Sequence, residues 1–224
     1  VRLVGSEMCI RDSMNTRVRG RKDLDDLSVP FIGEIPLAIC GKKKVKSHEA
    51  HTIVVKEGSR DIMNEAFRVL RTNLEFMIGK DRSSNVIVIT SFNPGSGKSF
   101  LTMNIAMSLA IKNKKVLVID GDLRHASASA YIHSPEVGLS NYLGGQVDEL
   151  SDIIVTDKQH PSFSFIPVGT IPPNPTELLF NDRLQDAIHT LKQQYDVVLI
   201  DCPPVELAVS YTHLRAHETD SYLV

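Results

Sequence analysis

Nine residues, Ser91-Phe-Asn-Pro-Gly-Ser-Gly-Lys-Ser99, restrict the folds open to this chain more than any other stretch in it. They follow an unbroken β-branched run, Val86 to Thr90, of the kind a parallel strand buried on both faces requires. They lead into a segment that is apolar nearly all round, through Leu101, Ile105, Ala106 and Leu109, as a helix lying against a sheet would be. Strand, glycine loop and helix in that order make a phosphate site. Gly95 and Gly97 allow positive φ, so that the N–H groups of Ser96 to Ser99 can converge on an anion, and the helix start adds its positive end. Lys98 is then expected to reach the β- and γ-phosphates of ATP, and the Ser99 hydroxyl to ligate Mg²⁺. The expected nucleotide contacts run from Asn93 and Pro94 through Gly95, Ser96, Gly97, Lys98 and Ser99 to Phe100. A glycine turn with an unrelated lysine is the plain alternative, and Phe92 stands where the strict pattern has glycine.

Two acidic strand ends complete the pattern. Val116-Leu-Val-Ile-Asp120-Gly-Asp122 places two carboxylates just past a buried run, where open α/β sheets bind ligands. A spacing of two puts them on the same side of an extended chain. Val197-Val-Leu-Ile-Asp201 repeats the design. Asp120 and Asp122 are therefore candidates, with Ser99, for holding Mg²⁺ or for accepting a proton from an attacking hydroxyl, and Asp201 for a water-mediated contact with the same ion. A single Asp closing a strand is usually a turn residue; three beside a phosphate loop are harder to set aside. Phe163 to Val168 supplies a further strand, and Asp182 to Gln194 a helix. Alternation of strands and helices predicts an α/β fold of the P-loop NTPase kind, with a mainly parallel sheet flanked by helices.

The remainder of the 224 residues bounds the answer. A net charge of −2 offers no global basic field for nucleic acid, and no nucleic-acid partner is expected. Lys42, Lys43, Lys44 and Lys46 read as a solvated linker or, alternatively, as a weak membrane-surface patch. Cys9, Cys40 and Cys202 are too few and too scattered for a disulfide framework or a zinc site, which fits a reducing cytoplasm. No apolar run reaches the ~18 to 20 residues of a membrane span. Residues 1–13 and 209–224 match nothing the middle leads one to expect and resemble translated sequencing-adapter DNA; both are set aside as artefactual. Between them, 14–59 reads as an N-terminal segment and linker, with a short helix expected after Asp23, and 60–208 as the nucleotide-binding domain. Phe67, Leu70, Leu74, Met77 and Ile78 recur at helical spacing from Asn64 to Ile78, with a charged opposite face.

With these residues in view, the stretch from Val18 to Ala208 resembles the bacterial tyrosine kinase (BY-kinase) domain, the cytoplasmic end of capsular and exopolysaccharide co-polymerases. Residues 91–99 resemble its Walker A motif, Val116 to Arg124 its Walker A′ motif, and Val197 to Pro204 its Walker B motif. Glu65-Ala-Phe-Arg68-Val-Leu-Arg71 resembles the family's Glu-x2-Arg-x2-Arg helix, which implies a ring-forming homo-oligomer with Glu65, Arg68 and Arg71 at the interface. Local ion pairs at the same spacing are the competing account. Gly169 to Leu179 resembles a further loop of the family; physically it starts a helix, with Asn174 as N-cap, Pro175 at the first position and Glu177 as capping-box partner.

The resemblance implies an ATP- and Mg²⁺-dependent kinase that autophosphorylates tyrosines and regulates polysaccharide assembly and export. Lys98, Asp120, Asp122 and Asp201 would be its catalytic residues. Its implied partners are further copies of itself, a co-polymerase membrane segment in the same or another chain, and a cognate tyrosine phosphatase. The implied location is the cytoplasmic face of the inner membrane. It also implies strands, helices and a tyrosine tail beyond Ala208, so the chain as written is expected to be incomplete and inactive by itself. Two rivals stand beside it. Partitioning ATPases, which use ATP as a dimerisation switch, carry a signature lysine where this chain has Asn93. A scaffold that binds nucleotide without turnover would not need Lys98 and all three aspartates.

Overall fold

The computed structural model describes residues 29–36, 51–79, 85–205 and 222–223. Residues 1–33 and 34–224 form separate compact units. In the first, residues 29–33 contain neither helix nor strand; the second carries everything below. Residues 1–13, Cys40 and the Lys42–Lys46 run lie outside the described residues, as does most of the helix expected after Asp23.

The second unit opens with helix α1, Ile62–Ile78, whose Asp61 N-cap accepts the Asn64 N–H at 2.9 Å. Strand β1, Val86–Ile89, leads through the glycine loop into α2, Lys98–Ala110, and β2 follows at Val116–Asp120. A 3₁₀ turn at Ser129–Ile132, short helix α3 at Leu139–Leu143, and a second 3₁₀ turn at Leu150–Ile153 come next. Strands β3, Val155–Thr156, and β4, Phe163–Ile166, precede α4, Pro175–Leu179, α5, Asp182–Gln194, and β5, Val197–Asp201. A two-residue strand β6, Tyr222–Leu223, closes the order.

These strands form one sheet in the order β3-β4-β2-β5-β1-β6, parallel throughout except for β3. Each of the four expected strands is present. β4 is two residues shorter than expected, ending before Pro167, which has no N–H to give to a ladder. β3 and β6 were not anticipated, and β6 lies in the stretch set aside as artefactual, paired to the outer edge of β1. The strand carrying Asp201 is flanked on both sides, by β2 and β1.

The core follows from the sequence pattern. Leu117, Ile119, Val198 and Ile200, one face of β2 and β5, join Leu184, Ala187, Ile188 and Leu191 of α5 in a single buried cluster. α2 covers the other side against β2 and β5, and α1 packs on α2. The outer face of α1 departs from the expectation of a charged surface: Ile62, Val69 and Phe76, seven residues apart, are all exposed beside Glu65 and Arg68. The linker expected to run to about Ser59 is already tied to the domain. The buried Asn104 of α2 accepts the N–H groups of Val54 (2.8 Å) and Val55 (3.1 Å) through Oδ1, and Asn64 Oδ1 accepts that of Lys56 at 2.8 Å.

Candidate nucleotide and phosphoryl-transfer site

The glycine loop adopts the conformation its composition allows. Gly95 and Gly97 have φ of 72° and 88°, a region costly for residues with a Cβ. Ser96 Oγ donates to the Asn93 carbonyl at 2.6 Å and Ser91 Oγ to the same oxygen at 2.8 Å, which ties Asn93 into the turn. Gly97 caps α2, so the N–H groups of Lys98, Ser99 and Phe100 occupy the first turn, where helices leave donors without intrahelical partners. The Phe100 ring turns away from the loop and meets Phe67 of α1 edge-on, 5.9 Å between centroids.

Parallel register sets Asp120 directly beside Asp201 on neighbouring strands. Ser99 Oγ donates to Asp201 Oδ2 at 2.6 Å, and Thr102 Oγ1 to Asp201 Oδ1 at 3.3 Å, which joins the helix start to the β5 end. Lys98 Nζ lies 4.0 Å from Asp122 Oδ2. All four expected catalytic residues therefore meet at one end of the sheet. Ser99 and Asp201 supply hydroxyl and carboxylate oxygens in contact with each other, the donor type that Mg²⁺ takes alongside nucleotide phosphates.

Burial dominates the electrostatics. It pushes the Asp120 carboxyl up to about 7, helped by the neighbouring Asp201 charge and opposed by the hydrogen bonds from Ser129. Asp201 is raised to about 6 by burial, against the Ser99 hydrogen bond and the Lys98 charge, with Asp122 adding to the rise. Tyr131, on the 3₁₀ turn after β2, is pushed up to about 12 by burial and then by Asp201. The His51 ring meets Tyr131 edge-on at 5.3 Å, so the tied linker reaches the rim of the site.

Two expectations change. Arg71 does not face outward: it is buried, and its Nη1 donates to the Ser108 carbonyl at 2.9 Å and to Ser108 Oγ at 3.2 Å. That leaves Glu65 and Arg68, an exposed ion pair, from the proposed interface set. Asn174 makes no side-chain cap to the backbone of α4; its Nδ2 donates instead to Glu177 Oε2 at 3.2 Å. Sequence reasoning also missed Ser129, Thr102 and Asn104, whose bonds to Asp120, Asp201 and the Val54–Val55 backbone reach other elements and leave no local trace.

The loop, the acidic strand ends and the parallel register together define a P-loop nucleotide-binding domain. A family profile described as an AAA domain matches residues 84–224. Among solved structures, the BceF tyrosine kinase domain superposes with a TM-score of 0.75 at 35% identity, over 90% of this chain and 83% of that one. The kinase domain of the Escherichia coli tyrosine kinase ETK does so with 0.70 at 34%, over 77% and 67%. The chain belongs to the bacterial tyrosine kinase family. Tyrosine-protein kinase Etk of Escherichia coli K12 is 42% identical over 150 residues, 65% of this chain and 20% of that protein. Tyrosine-protein kinase Wzc of Salmonella typhimurium is 31% identical over 210 residues, 90% of this chain and 29% of that protein. The chain thus spans between a fifth and three tenths of the curated relatives it matches. The septum site-determining protein MinD of Pyrococcus horikoshii, solved with Mg-ADP, shares the fold with a TM-score of 0.50 at 30% identity, over 62% of this chain and 57% of that one. Among the described residues no helix is long and apolar enough to cross a membrane.

Proposed function

We propose that this domain transfers the γ-phosphoryl group of ATP to tyrosine hydroxyls of a neighbouring copy, and that the whole protein thereby regulates capsular or exopolysaccharide assembly. The observation that carries the reading is the contact between the phosphate-loop helix and the acidic strand ends: Ser99 on Asp201 at 2.6 Å, and Lys98 4.0 Å from Asp122. A Lys reaching past the loop toward a carboxylate pair is arranged to act where charge moves in phosphoryl transfer.

Residues 95–99 would hold the phosphates, Ser99 and Asp201 the Mg²⁺, which supplies charge neutralisation at the β- and γ-oxygens. Lys98 follows the transferring group. Asp122, beside Lys98, is placed to accept the tyrosine proton. Asp120, with Oδ2 occupied by two donors from Ser129, supports the other two rather than taking a ligand itself. MinD's Mg-ADP supports the nucleotide and metal assignment, since it shares the fold.

The outer face of α1 supports self-association. Its exposed stripe Ile62, Val69 and Phe76 runs beside Glu65 and Arg68, and a second copy of the chain would cover it. In the whole protein, a co-polymerase membrane segment would hold the domain at the inner face of the inner membrane, and a tyrosine phosphatase would reverse the modification.

The test is Lys98→Met in the full-length protein, with nucleotide-dependent phosphotyrosine as readout and thermal melting as the fold control. Phosphotyrosine should disappear while the melt is retained. Normal phosphorylation by a folded Lys98→Met protein removes this loop from the reaction.

A further inference from the structure

Ser129 sits nine residues beyond Asp120 and is almost fully buried. All its polar groups are engaged. Its backbone N–H and its hydroxyl each donate to Asp120 Oδ2 at 2.7 Å, and its hydroxyl oxygen accepts the Val168 N–H at 2.9 Å. Its carbonyl accepts the Ser134 N–H at 2.9 Å, closing the 3₁₀ turn. The other Asp120 oxygen, Oδ1, accepts the Asp122 N–H at 3.2 Å. Asp122 in turn holds its own loop, accepting the N–H groups of Arg124 (3.3 Å) and His125 (3.2 Å) through Oδ1, while Oδ2 lies toward Lys98. One line of contacts therefore runs from Val168, just past β4, through Ser129, Asp120 and Asp122 to the phosphate-loop lysine.

We propose that Ser129 is a positioning residue for phosphoryl transfer, gripping Asp120 by one oxygen so that the other fixes the Asp122 main chain and aims its carboxylate at Lys98. The physical case is rotational. A carboxylate at a strand end can turn about its terminal torsion, which is broad and two-fold. Two donors from one residue on a single oxygen, one of them backbone, remove that freedom, and the Val168 N–H fixes the hydroxyl that supplies the other. Such supporting contacts set how accurately a reacting group is held, and an error of about 1 Å there costs up to about a hundredfold in rate.

This inference rests on the kinase reading, so its experiment separates the two. In the full-length protein, Ser129→Ala, Asp120→Asn and the double variant are compared for autophosphorylation kcat, KM for ATP, and affinity for a fluorescent ADP analogue. Ser129→Ala should lower kcat by about ten- to a hundredfold, with ADP affinity changed by less than about threefold. In the Asp120→Asn background it should cost no further rate, because its action passes through that carboxylate. Ser129→Thr, which keeps the hydroxyl, should restore most of the rate. Unchanged kcat in Ser129→Ala, or losses that add independently with Asp120→Asn, overturn the proposal. If Ser129→Ala melts below the assay temperature, Ser129→Cys keeps the volume, weakens the donor and carries the same two expectations. Absence of nucleotide-dependent phosphotyrosine in the folded wild-type protein would sink the kinase reading itself, and undiminished phosphorylation in a folded Lys98→Met control would remove this loop from the reaction, whatever Ser129 does.

Discussion

Arg71 and Arg68 lie three residues apart on α1, yet the structure separates their roles, and replacing each by alanine should show it. α2 ends at Ala110, and the Lys112 N–H goes to the Leu109 carbonyl, not to that of Ser108. Ser108 O is therefore one of the carbonyls a helix end leaves over, and the Arg71 guanidinium caps it from the neighbouring helix at 2.9 Å. A hydrogen bond to a charged donor contributes ~1.5 to 3 kcal/mol, and removing the donor leaves a buried acceptor unpaired. With the lost packing of the arginine stem, Arg71→Ala should cost about 2 to 4 kcal/mol. For a domain of this size, that lowers the melting temperature by roughly 4 to 16 °C. Arg68 pairs with Glu65 on an exposed face, where such pairs contribute ~0.3 to 0.5 kcal/mol, so Arg68→Ala should shift the melt by less than about 2 °C. Scanning calorimetry of the two variants reads the difference directly. Matching melts, or a reduced oligomer mass in a fully stable Arg71→Ala protein, would refute the inward assignment and return Arg71 to the interface.

Further outcomes follow from the same contacts. Combining Arg68→Ala with Phe76→Ser should lower the mass seen by light scattering without shifting the melt by more than about 3 °C, since neither side chain is buried; an unchanged mass would leave the α1 stripe without a second copy. Gly138→Ala should destabilise the domain severely, because the new Cβ would stand 2.2 Å from the Pro167 carbonyl oxygen and 2.5 Å from the Gly169 nitrogen, both backbone; a wild-type urea midpoint would contradict that packing. Asp120 and Asp201, raised to about 7 and about 6, hold protons in the folded state that an unfolded chain releases near pH ~4. Their stabilisation is complete below ~4 and lost as pH rises through about 6 and 7, so without nucleotide the urea midpoint should be lower at pH 7.5 than at pH 5, and Asp201→Asn should flatten that slope. A midpoint that climbs over the same interval counts against burial of the two carboxylates.

What could be read from the residues was whatever depends on short spacing. The β1 run, the loop and α2 adjoin in sequence, so their order alone implied a phosphate site, and the four-apolar-then-Asp pattern placed Asp120 and Asp201 at strand ends before their pairing was known. Arg71 was legible in principle. It stands four residues after Phe67 and three before Leu74, both buried, which puts it on the apolar stripe. Its charge argues for an outward side chain, while a carbonyl on another helix, 37 residues away, holds it inward. Two-residue strands such as Val155–Thr156 carry no periodicity to detect.

Ser129 shows the limit more sharply. Within Ala-Ser-Ala-Ser-Ala, Ser127 and Ser129 are locally indistinguishable, and nothing in that run says which one meets Asp120. The choice falls to the 3₁₀ turn that brings Ser129 to Asp120 at the end of β2, and to the Val168 N–H arriving from beyond β4, 39 residues further on. The residues that bear chemistry in this site are held by short motifs, because phosphate and charge make local demands on the chain. Those that orient them are held by tertiary contacts, because any small donor of the right length satisfies an aspartate, and only the fold determines which donor is present.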